Sequence, residues 1–305
     1  MKNNFRLIKR ADIDLNKWDR CIAEAPNGLI YAYSTYLDHM TLHWDGLVWG
    51  DYEMVMPLTW NRKWGISYLY QPPFTASLGI FGKELQPELI QQFIEHIPER
   101  FRLIDIDLNH ANTDLPPGEG FRLRANYILS LRDSYEILRS SYRENVRRNC
   151  KKAEQSGCVF RDTIPVEDVM ELAAQYSPAG KQLHPKSRSA FLHLAAHLQS
   201  KGMAEANGIY DSQNNLLASA LYFFSHHRAY YILVGNHPNG KTIGASHWLI
   251  DRFIAKYAGQ DLSLDFEGSD VRNLAFFYSG FGAKEEPYSA LYLNKLPWWL
   301  AWMKK

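Results

Sequence analysis

The chain has 305 residues, of which 46% are hydrophobic and 22% charged, and these values are typical of a compact globular protein of about two domains. A formal net charge of +1 excludes a global field that would attract nucleic acid or membranes, so an electrostatic partner must bind a local cluster. No apolar run approaches the roughly 20 residues of a membrane-spanning helix, and the N-terminal segment lacks the apolar core of a secretory signal.

The first half of the chain predicts three strands, a helix and a fourth strand, in that order. The segment DGLVWGDYEMVMPLTW (45–60) is typical of two strands joined by a polar turn, and ISYLYQPPF (66–74) predicts a third strand. In LIQQFIEHIPERFRLIDID (89–107), apolar residues recur with helical spacing before a short strand with acidic interruptions.

A second copy of this pattern follows 160 residues later. LIDRFIAKYAGQDLSLDFE (249–267) repeats the apolar helix positions and the acidic strand, and the segments 207–224 and 228–236 repeat the three preceding strands. A chance match between two amphipathic helices is the alternative, but the order of elements agrees on both sides of the helix. The pattern therefore predicts two related domains, 1–132 and 133–305.

A basic helical pattern opens the second domain in RSSYRENVRRNCKKAEQSGCVF (139–160). Arg143, Arg147 and Lys151 recur at four-residue steps on one face, which is either solvated or binds a phosphate-bearing substrate, a lipid surface or tRNA. The opposite, apolar stripe consists of Leu138, Tyr142, Val146, Cys150 and Ala153. The three cysteines, Cys21, Cys150 and Cys158, lack metal-ligand spacing and favour free thiols in a reducing cytoplasm, so we expect a cytoplasmic protein without a metal.

The turn between the third strand and the helix differs between the two copies. In the second copy, GNHPNGKTIGAS (235–246) combines glycines with the start of a helix, where free N–H groups and a positive dipole end favour an anion. The residues that we expect to hold a phosphate group there are Gly235, Asn236, Gly240, Lys241, Gly244, Ala245 and Ser246. In the first copy, Pro72 and Pro73 have no N–H to donate, so we expect no such site; a plain turn is the alternative for the second.

The acidic strand of the second copy ends in two carboxylates. Asp265 and Glu267 point to the same face of the strand, and a carboxylate in apolar surroundings can have the raised pKa of a base that works near neutrality. For Asp265 we favour a structural role, because the first copy keeps acidic residues at Asp105 and Asp107. For Glu267 a catalytic role and a capping role both stay open.

The order of elements, the turn Lys241-x-x-Gly244-x-Ser246, and DFEGS followed by FYSGFGAKEEPY resemble the GNAT acyltransferase fold in its tandem, FemAB-like version. The basic helix of 139–160 is similar to the one that opens the second domain of those Fem-type aminoacyltransferases. The resemblance implies an α/β (α+β) fold of two GNAT-like domains, each a mixed sheet flanked by helices. It also implies transfer of an acyl or aminoacyl group to an amine of a small molecule or cell-wall precursor.

The resemblance assigns Tyr278 the role of protonating the departing thiolate, with core packing as the alternative. It implies acyl-CoA as the acyl donor. Lys241 and Ser246 stand where the GNAT loop usually has Gln or Arg and Gly or Ala, which keeps two further functions open. One is transfer from aminoacyl-tRNA, which the basic helix favours and the near-neutral net charge does not; the other is a binding module without catalysis.

Overall fold

A computed structural model describes residues 4–113, 120–177, 184–268 and 270–296. By its internal contacts the chain divides into two compact units, one formed by Met1–Arg124 with Pro287–Lys305 and the other by Ala125–Glu286. The boundary predicted at residue 132 falls later in the chain than this division and remains a prediction.

Thirteen strands and ten α-helices lie in the described residues. The strands are β1 Phe5–Lys9, β2 His43–Trp49, β3 Met54–Lys63, β4 Ile66–Tyr70, β5 Phe81–Gly82, β6 Phe101–Asp107, β7 Phe121–Ser130, β8 Val159–Arg161, β9 Ala204–Tyr210, β10 Leu216–Ser225, β11 Arg228–Asn236, β12 Ser263–Asp265 and β13 Lys284–Asn294. The helices are α1 Leu15–Glu24, α2 Ser34–Met40, α3 Pro87–Glu95, α4 Tyr135–Ser140, α5 Glu144–Gln155, α6 Val166–Tyr176, α7 Pro185–Ser200, α8 Pro238–Ile243, α9 Ala245–Tyr257 and α10 Arg272–Ser279. No helix among the described residues is long and apolar enough to span a membrane.

The first unit is built on a mixed sheet in the order β1-β2-β3-β4-β6-β13, with β5 paired to β3. Its parallel pair is β4 with β6. Helix α3 begins with proline in its first turn, where a missing N–H costs nothing, and it buries Ile90 and Phe93 against the sheet. Strand β4 ends at Tyr70, earlier than its apolar pattern predicted, because Pro72 and Pro73 cannot donate to a sheet.

The second unit has a mixed sheet in the order β7-β12-β11-β10-β9-β8, and its parallel pair is β11 with β12. Helix α9 covers one face, where Phe253 stacks on Tyr222 with ring centroids 3.9 Å apart. Helix α6 packs against β10 and β11 on the opposite face of the sheet from α9. On that face, Leu172 lies close to Ser219 and Gly235.

The two units repeat one strand order, which confirms the duplication and the α/β class that the sequence predicted. Strands β1, β2, β3, β4 and β6 correspond in order to β8, β9, β10, β11 and β12, and the parallel pair occupies the same place in both sheets. The sixth strand comes from a distant part of the chain in each unit. Residues 290–294 of β13 pair with β6, and residues 128–130 of β7 pair with β12.

The single basic helix predicted within residues 139–160 is two helices, α4 and α5. The hydroxyls of Ser140 and Ser141 donate to the carbonyl oxygens of Ile137 and Leu138, both at 2.7 Å, and Arg143 adopts an extended conformation. Side chains that bond the preceding turn in this way compete with helix continuation. The predicted apolar stripe nevertheless faces inwards, since Leu138, Tyr142, Val146, Cys150 and Ala153 are all buried.

Candidate functional site

The parallel strands of the second unit separate after three residue pairs. Strands β11 and β12 are in register from Arg228 with Ser263 to Tyr230 with Asp265. Strand β11 then continues to Asn236, whereas the N–H of Phe266 donates to Tyr127 O of β7 at 3.0 Å. The chain thus opens a gap at the carboxyl ends of two parallel strands, which is where open α/β sheets usually bind ligands.

The segment between β11 and α9 is an ordered connection that contains the short helix α8. The N–H of His237 donates to Leu217 O at 2.9 Å, and the His237 side chain accepts from the N–H of Asn239 at 3.1 Å. At the other end of α8, the ammonium group of Lys152 donates to Thr242 O at 2.8 Å. These bonds fix the connection to β10 and to α5 on its two sides.

Gly244 joins α8 to α9 in the left-handed conformation, with φ of +84°. A Cβ at this position would lie 2.5 Å from Asn149 O, so both the backbone angle and the neighbouring helix require glycine. Helix α9 therefore begins at Ala245, as the glycine pattern predicted.

Gly235 and Gly240 are glycines for a different reason, the close packing of neighbouring elements. An added Cβ would lie 2.7 Å from Leu172 Cβ at Gly235 and 2.4 Å from Leu217 O at Gly240. Both residues are buried, so they let α6 and α8 approach the sheet. Their predicted part in binding an acyl donor remains a prediction.

The first turn of α9 offers the N–H groups that an anion would need. Its first N–H groups, from Ala245 onwards, have no acceptor within the helix because of their position. The Ser246 hydroxyl donates to Asn236 Oδ1 and so joins the end of β11 to the start of α9. Lys241 is exposed in the last turn of α8 and adds a positive charge to this connection. Together these features give the connection a positive electrostatic potential.

His247 lies in the same turn, and the sequence analysis missed it. Its ring packs edge-on against Phe277, with centroids 4.7 Å apart, and its Nε2 lies 3.4 Å from Asn149 Nδ2. Burial lowers the pKa of His247 to about 4, so the imidazole is neutral near pH 7. The sequence signal for this residue was its position in the first turn of the helix that follows Gly244. Its burial could not be predicted, because Phe277 lies about thirty residues away in the sequence.

Asp265 is buried and fully hydrogen-bonded. Its carboxylate accepts from Asn126 Nδ2 and from the N–H of Glu267, both at 2.9 Å, and pairs with Arg228 at 3.0 Å. Arg228 also binds Glu286 at 2.8 Å. Burial lowers the pKa of Arg228, but the two carboxylates outweigh it and raise that pKa overall. This network supports the structural role that we favoured for Asp265.

Glu267 follows the network in a conformation that is rare for a residue with a side chain. Its φ is +60°, and its N–H donates a hydrogen bond to Asp265 Oδ1. The carboxylate is partly exposed, in contrast to that of Asp265. Backbone strain of this kind is concentrated at functional sites, because surrounding contacts must maintain it. The alternative role, capping of the following helix, concerns α10, whose N-cap position is occupied by Val271.

Tyr278 lies on α10 and is 7% exposed. Its ring stacks on Phe266, with centroids 4.5 Å apart and an interplanar angle of 19°. Burial, with a smaller contribution from the charge of Glu267, raises the pKa of Tyr278 to about 12. The phenol is therefore protonated near neutrality and can act as a proton donor.

The basic residues predicted to bind phosphate have two different environments. The guanidinium of Arg143 lies 4.6 Å from the centroid of the Phe276 ring and donates to Phe276 O at 3.2 Å, so it fixes the end of α10. Arg147 and Lys151 are exposed on α5. Cys150 faces the core, and burial raises the pKa of its thiol to about 12, so it is not an activated thiol.

In the first unit, the segment between β4 and α3 is bound by an asparagine cluster. The carbonyl oxygen of Ile80 accepts from the side-chain amides of Asn27, Asn109 and Asn112 at 2.8, 3.0 and 3.0 Å. Ile80 lies between β4 and α3 in the sequence, and its side chain is fully buried. That the first copy has no acyl-donor site stays a prediction.

Among the described residues, no three His, Cys, Asp or Glu side chains are grouped as metal ligands. Residues 140–272 match the family model described as Acetyltransferase (GNAT) domain. This match lies within the second unit and includes α5, the connection from β11 to α9, and Glu267. A search of curated proteins found no match.

Solved structures with the same fold extend over nearly the whole chain. The crystal structure of FemX aligns with a TM-score of 0.65 and 12% identity, covering 93% of this chain and 97% of that chain. A conserved protein of unknown function from Bacteroides thetaiotaomicron aligns with a TM-score of 0.58 and 12% identity, covering 94% and 99%. L-PGS from Bacillus licheniformis aligns with a TM-score of 0.50 and 10% identity, covering 85% and 87%. At these identities the likeness shows the fold, and the predicted resemblance to the tandem GNAT fold is confirmed at that level.

Proposed function

We propose that the second unit catalyses N-acyl transfer from acyl-CoA to an amine of a small molecule or cell-wall precursor. One observation carries this proposal: the gap between β11 and β12 lies beside the start of α9, where Gly244 adopts the left-handed conformation. A phosphate-bearing acyl donor fits this arrangement, because N–H groups and a helix dipole favour an anion at that point. The GNAT family match over the same residues supports the same chemistry.

The acyl donor binds with its phosphates at the start of α9 and its thioester in the gap. Ala245, Ser246 and the neighbouring N–H groups receive the phosphates, with Lys241 as an additional charge. The thioester carbonyl then lies along the edge of β11 between Tyr231 and Asn236, where β12 is no longer paired to it. N–H groups on that edge stabilise the oxyanion of the tetrahedral intermediate.

The side chains at the end of β12 supply the proton transfers. Glu267, or a water molecule that it binds, takes a proton from the attacking amine as the new C–N bond forms. When the C–S bond breaks, Tyr278 donates its proton towards the departing sulfur. Asp265 and Arg228 hold the turn that carries Glu267, since the N–H of Glu267 is bonded to Asp265.

The test is calorimetric titration of the full chain with acetyl-CoA and a longer acyl-CoA. Lys241→Glu places a negative charge beside the expected phosphates, so we expect the affinity to fall at least about tenfold, the effect of roughly 1.4 kcal/mol. Lys201→Glu is the matched control, because Lys201 is an exposed lysine of the same unit at the end of α7. Equal affinities in the two variants and the parent would remove the connection from the mechanism.

A second acyl donor, aminoacyl-tRNA, is favoured by the exposed cations of α5. Arg147 and Lys151 point to solvent and are free to bind a phosphate backbone. Binding of tRNA through this face requires a steep loss of affinity with added salt, and the double variant Arg147→Glu with Lys151→Glu should reduce that slope. A tRNA affinity that does not change with salt concentration excludes this donor. Absence of turnover with both acyl-CoA and aminoacyl-tRNA favours a binding module without catalysis.

A further inference from the structure

One end of the first unit's sheet carries a basic groove that the proposed acyl transfer does not use. Three segments meet there: the turn from β3 to β4, the start of β6, and the residues after β13. They enclose an open cavity of about 1090 Å³. Its lining includes Arg62, Trp64, Ile66, Arg102, Lys295 and Leu296. We refer to these six residues as the basic groove.

The basic groove lies at the amino ends of the parallel strands β4 and β6. Strand β4 begins at Ile66 and β6 at Phe101, and Ser67 is in register with Phe101. In the second unit, the gap that we assign to the acyl donor lies at the carboxyl ends of the corresponding strands. The groove and the acyl-donor gap therefore belong to different units and to opposite ends of the corresponding strands.

The groove concentrates positive charge in a chain whose formal net charge is +1. Arg62, Arg102 and Lys295 form no ion pair with a described carboxylate, and Lys63 lies beside them. A fifth cation, Arg100, is paired with Asp45 at 2.5 Å. Arg62 Nε donates to Gly65 O at 3.1 Å, which orients its guanidinium without neutralising the charge. The unneutralised cations are thus available for an external anion.

The aromatic side chains of the groove favour a lipid surface over nucleic acid. Trp64 is 68% exposed at the tip of the turn, and the Lys63 ammonium lies 4.8 Å from the centroid of its ring. Trp60, which also lines the cavity, stacks on His43 with ring centroids 4.6 Å apart, and Arg100 lies 5.6 Å from the centroid of the Trp60 ring. Nucleobase stacking needs free ring faces, and the Trp60 ring is already in contact with His43 and Arg100.

Exposed tryptophan with adjacent aliphatic residues has the chemistry of a membrane interface. Tryptophan side chains are enriched at the level of lipid headgroups, and Ile66 and Leu296 add aliphatic surface next to Trp64. Basic clusters of this size bind the anionic headgroups of phospholipids.

We propose that the basic groove docks the protein on an anionic phospholipid membrane. The groove cations bind headgroup phosphates, and the Trp64 indole enters the headgroup layer. No covalent step is involved, and the association is peripheral.

The test is co-sedimentation of the full chain with vesicles of phosphatidylcholine alone or with about one-third phosphatidylglycerol. We expect binding to the anionic vesicles only, and its loss at about 0.5 M salt, where exposed charges are screened. At low salt, Arg62→Glu with Arg102→Glu should lower the partition coefficient at least about tenfold, and Trp64→Ala should lower it as well.

Lys9→Glu with Arg20→Glu is the matched control, because both residues are exposed in the same unit and the net charge changes equally. Unchanged melting temperatures establish that the variants fold. Absence of binding to anionic vesicles, or an equal loss in the control, overturns the proposal. Preferential binding of a single-stranded oligonucleotide also overturns it, in favour of a nucleic-acid site. The acyl-CoA affinity of the Arg62→Glu, Arg102→Glu variant should equal that of the parent. The result of the vesicle experiment is therefore independent of the acyl-transfer proposal.

Discussion

The phenol of Tyr278 and the carboxylate of Glu267 belong to two segments that come together only in the folded second unit. Burial is the main cause of the raised pKa of Tyr278, and the charge of Glu267 adds to it. The sequence supplied both residues as candidates, the first through a family resemblance and the second through its position at the end of a strand. It could not supply His247, because the burial that keeps this ring neutral depends on Phe277 and Asn149 from other helices.

Replacing Tyr278 with phenylalanine separates the catalytic role from core packing. The ring can keep its stack on Phe266, whereas the proton donor is lost. We expect kcat to fall at least about 100-fold, with little change in acyl-CoA affinity or melting temperature. Tyr231→Phe is the matched control, because Tyr231 is also buried and its ring packs edge-on against Phe266. Equal turnover in the two variants would assign Tyr278 to packing alone.

His247 makes the stability of the second unit depend on pH. Burial lowers its pKa from 6.5 to about 4, so between these values the unfolded chain binds a proton that the folded chain does not. Folding stability is therefore complete above about pH 6.5 and falls as the pH decreases towards 4, by roughly 1–3 kcal/mol.

Urea unfolding at pH 7 and at pH 5 measures this loss. His247→Gln removes the titrating group, so its stability should change less over the same interval. His193→Gln, at an exposed position on α7, should keep the pH dependence of the parent. If the His247 and His193 variants lose equal stability at low pH, another group causes the effect.

At the level of elements, the connection from β11 to α9 shows which part of the site a sequence can predict. The glycine before Ala245 correctly predicted where α9 begins, because local backbone geometry decides that point. The helix α8 inside the connection was not predicted, since bonds from Leu217 and Lys152 on other elements fix its position. The break between α4 and α5 was missed as well, although Ser140 and Ser141 carried a local signal for it.

Gly244→Ala tests how tightly this connection is packed against α5. The change imposes a side chain at φ of +84° and places a Cβ 2.5 Å from Asn149 O. Gly259→Ala is the matched control, since Gly259 has a φ of +81° but no atom within 4 Å of the added Cβ. We expect each variant to lose about 1 kcal/mol to backbone strain, and Gly244→Ala to lose roughly 1–3 kcal/mol more through steric overlap. Chemical denaturation measures both values, and equal losses would contradict the packing at Asn149.

At the scale of the whole molecule, the duplicated sheets explain why the repeat could be read from the sequence but the sixth strand of each sheet could not. Apolar periodicity is a local property, and it identified corresponding helices and strands 160 residues apart. The origin of the sixth strand is not local, because β13 pairs with β6 across almost two hundred residues of sequence. A cut at residue 132 therefore separates the first unit from a strand that completes its sheet.

A fragment of residues 1–132 tests the importance of that strand. It lacks residues 290–294, which pair with β6, and it lacks Leu291, which is 1% exposed in the core of the first unit. The fragment leaves an apolar strand edge unpaired, and such edges promote aggregation. We expect it to be insoluble or oligomeric by size-exclusion chromatography.

The same fragment joined through a flexible linker to residues 284–296 should be monomeric and unfold cooperatively. In a matched version with Leu291→Asp, the carboxylate would enter the core of the first unit without a partner, so the rescue should fail. A monomeric, cooperatively folded 1–132 fragment would show instead that β7 can take the place of β13 beside β6. The pairing of β13 with β6 and of β7 with β12 would then be a consequence of the duplication and would not be required for folding.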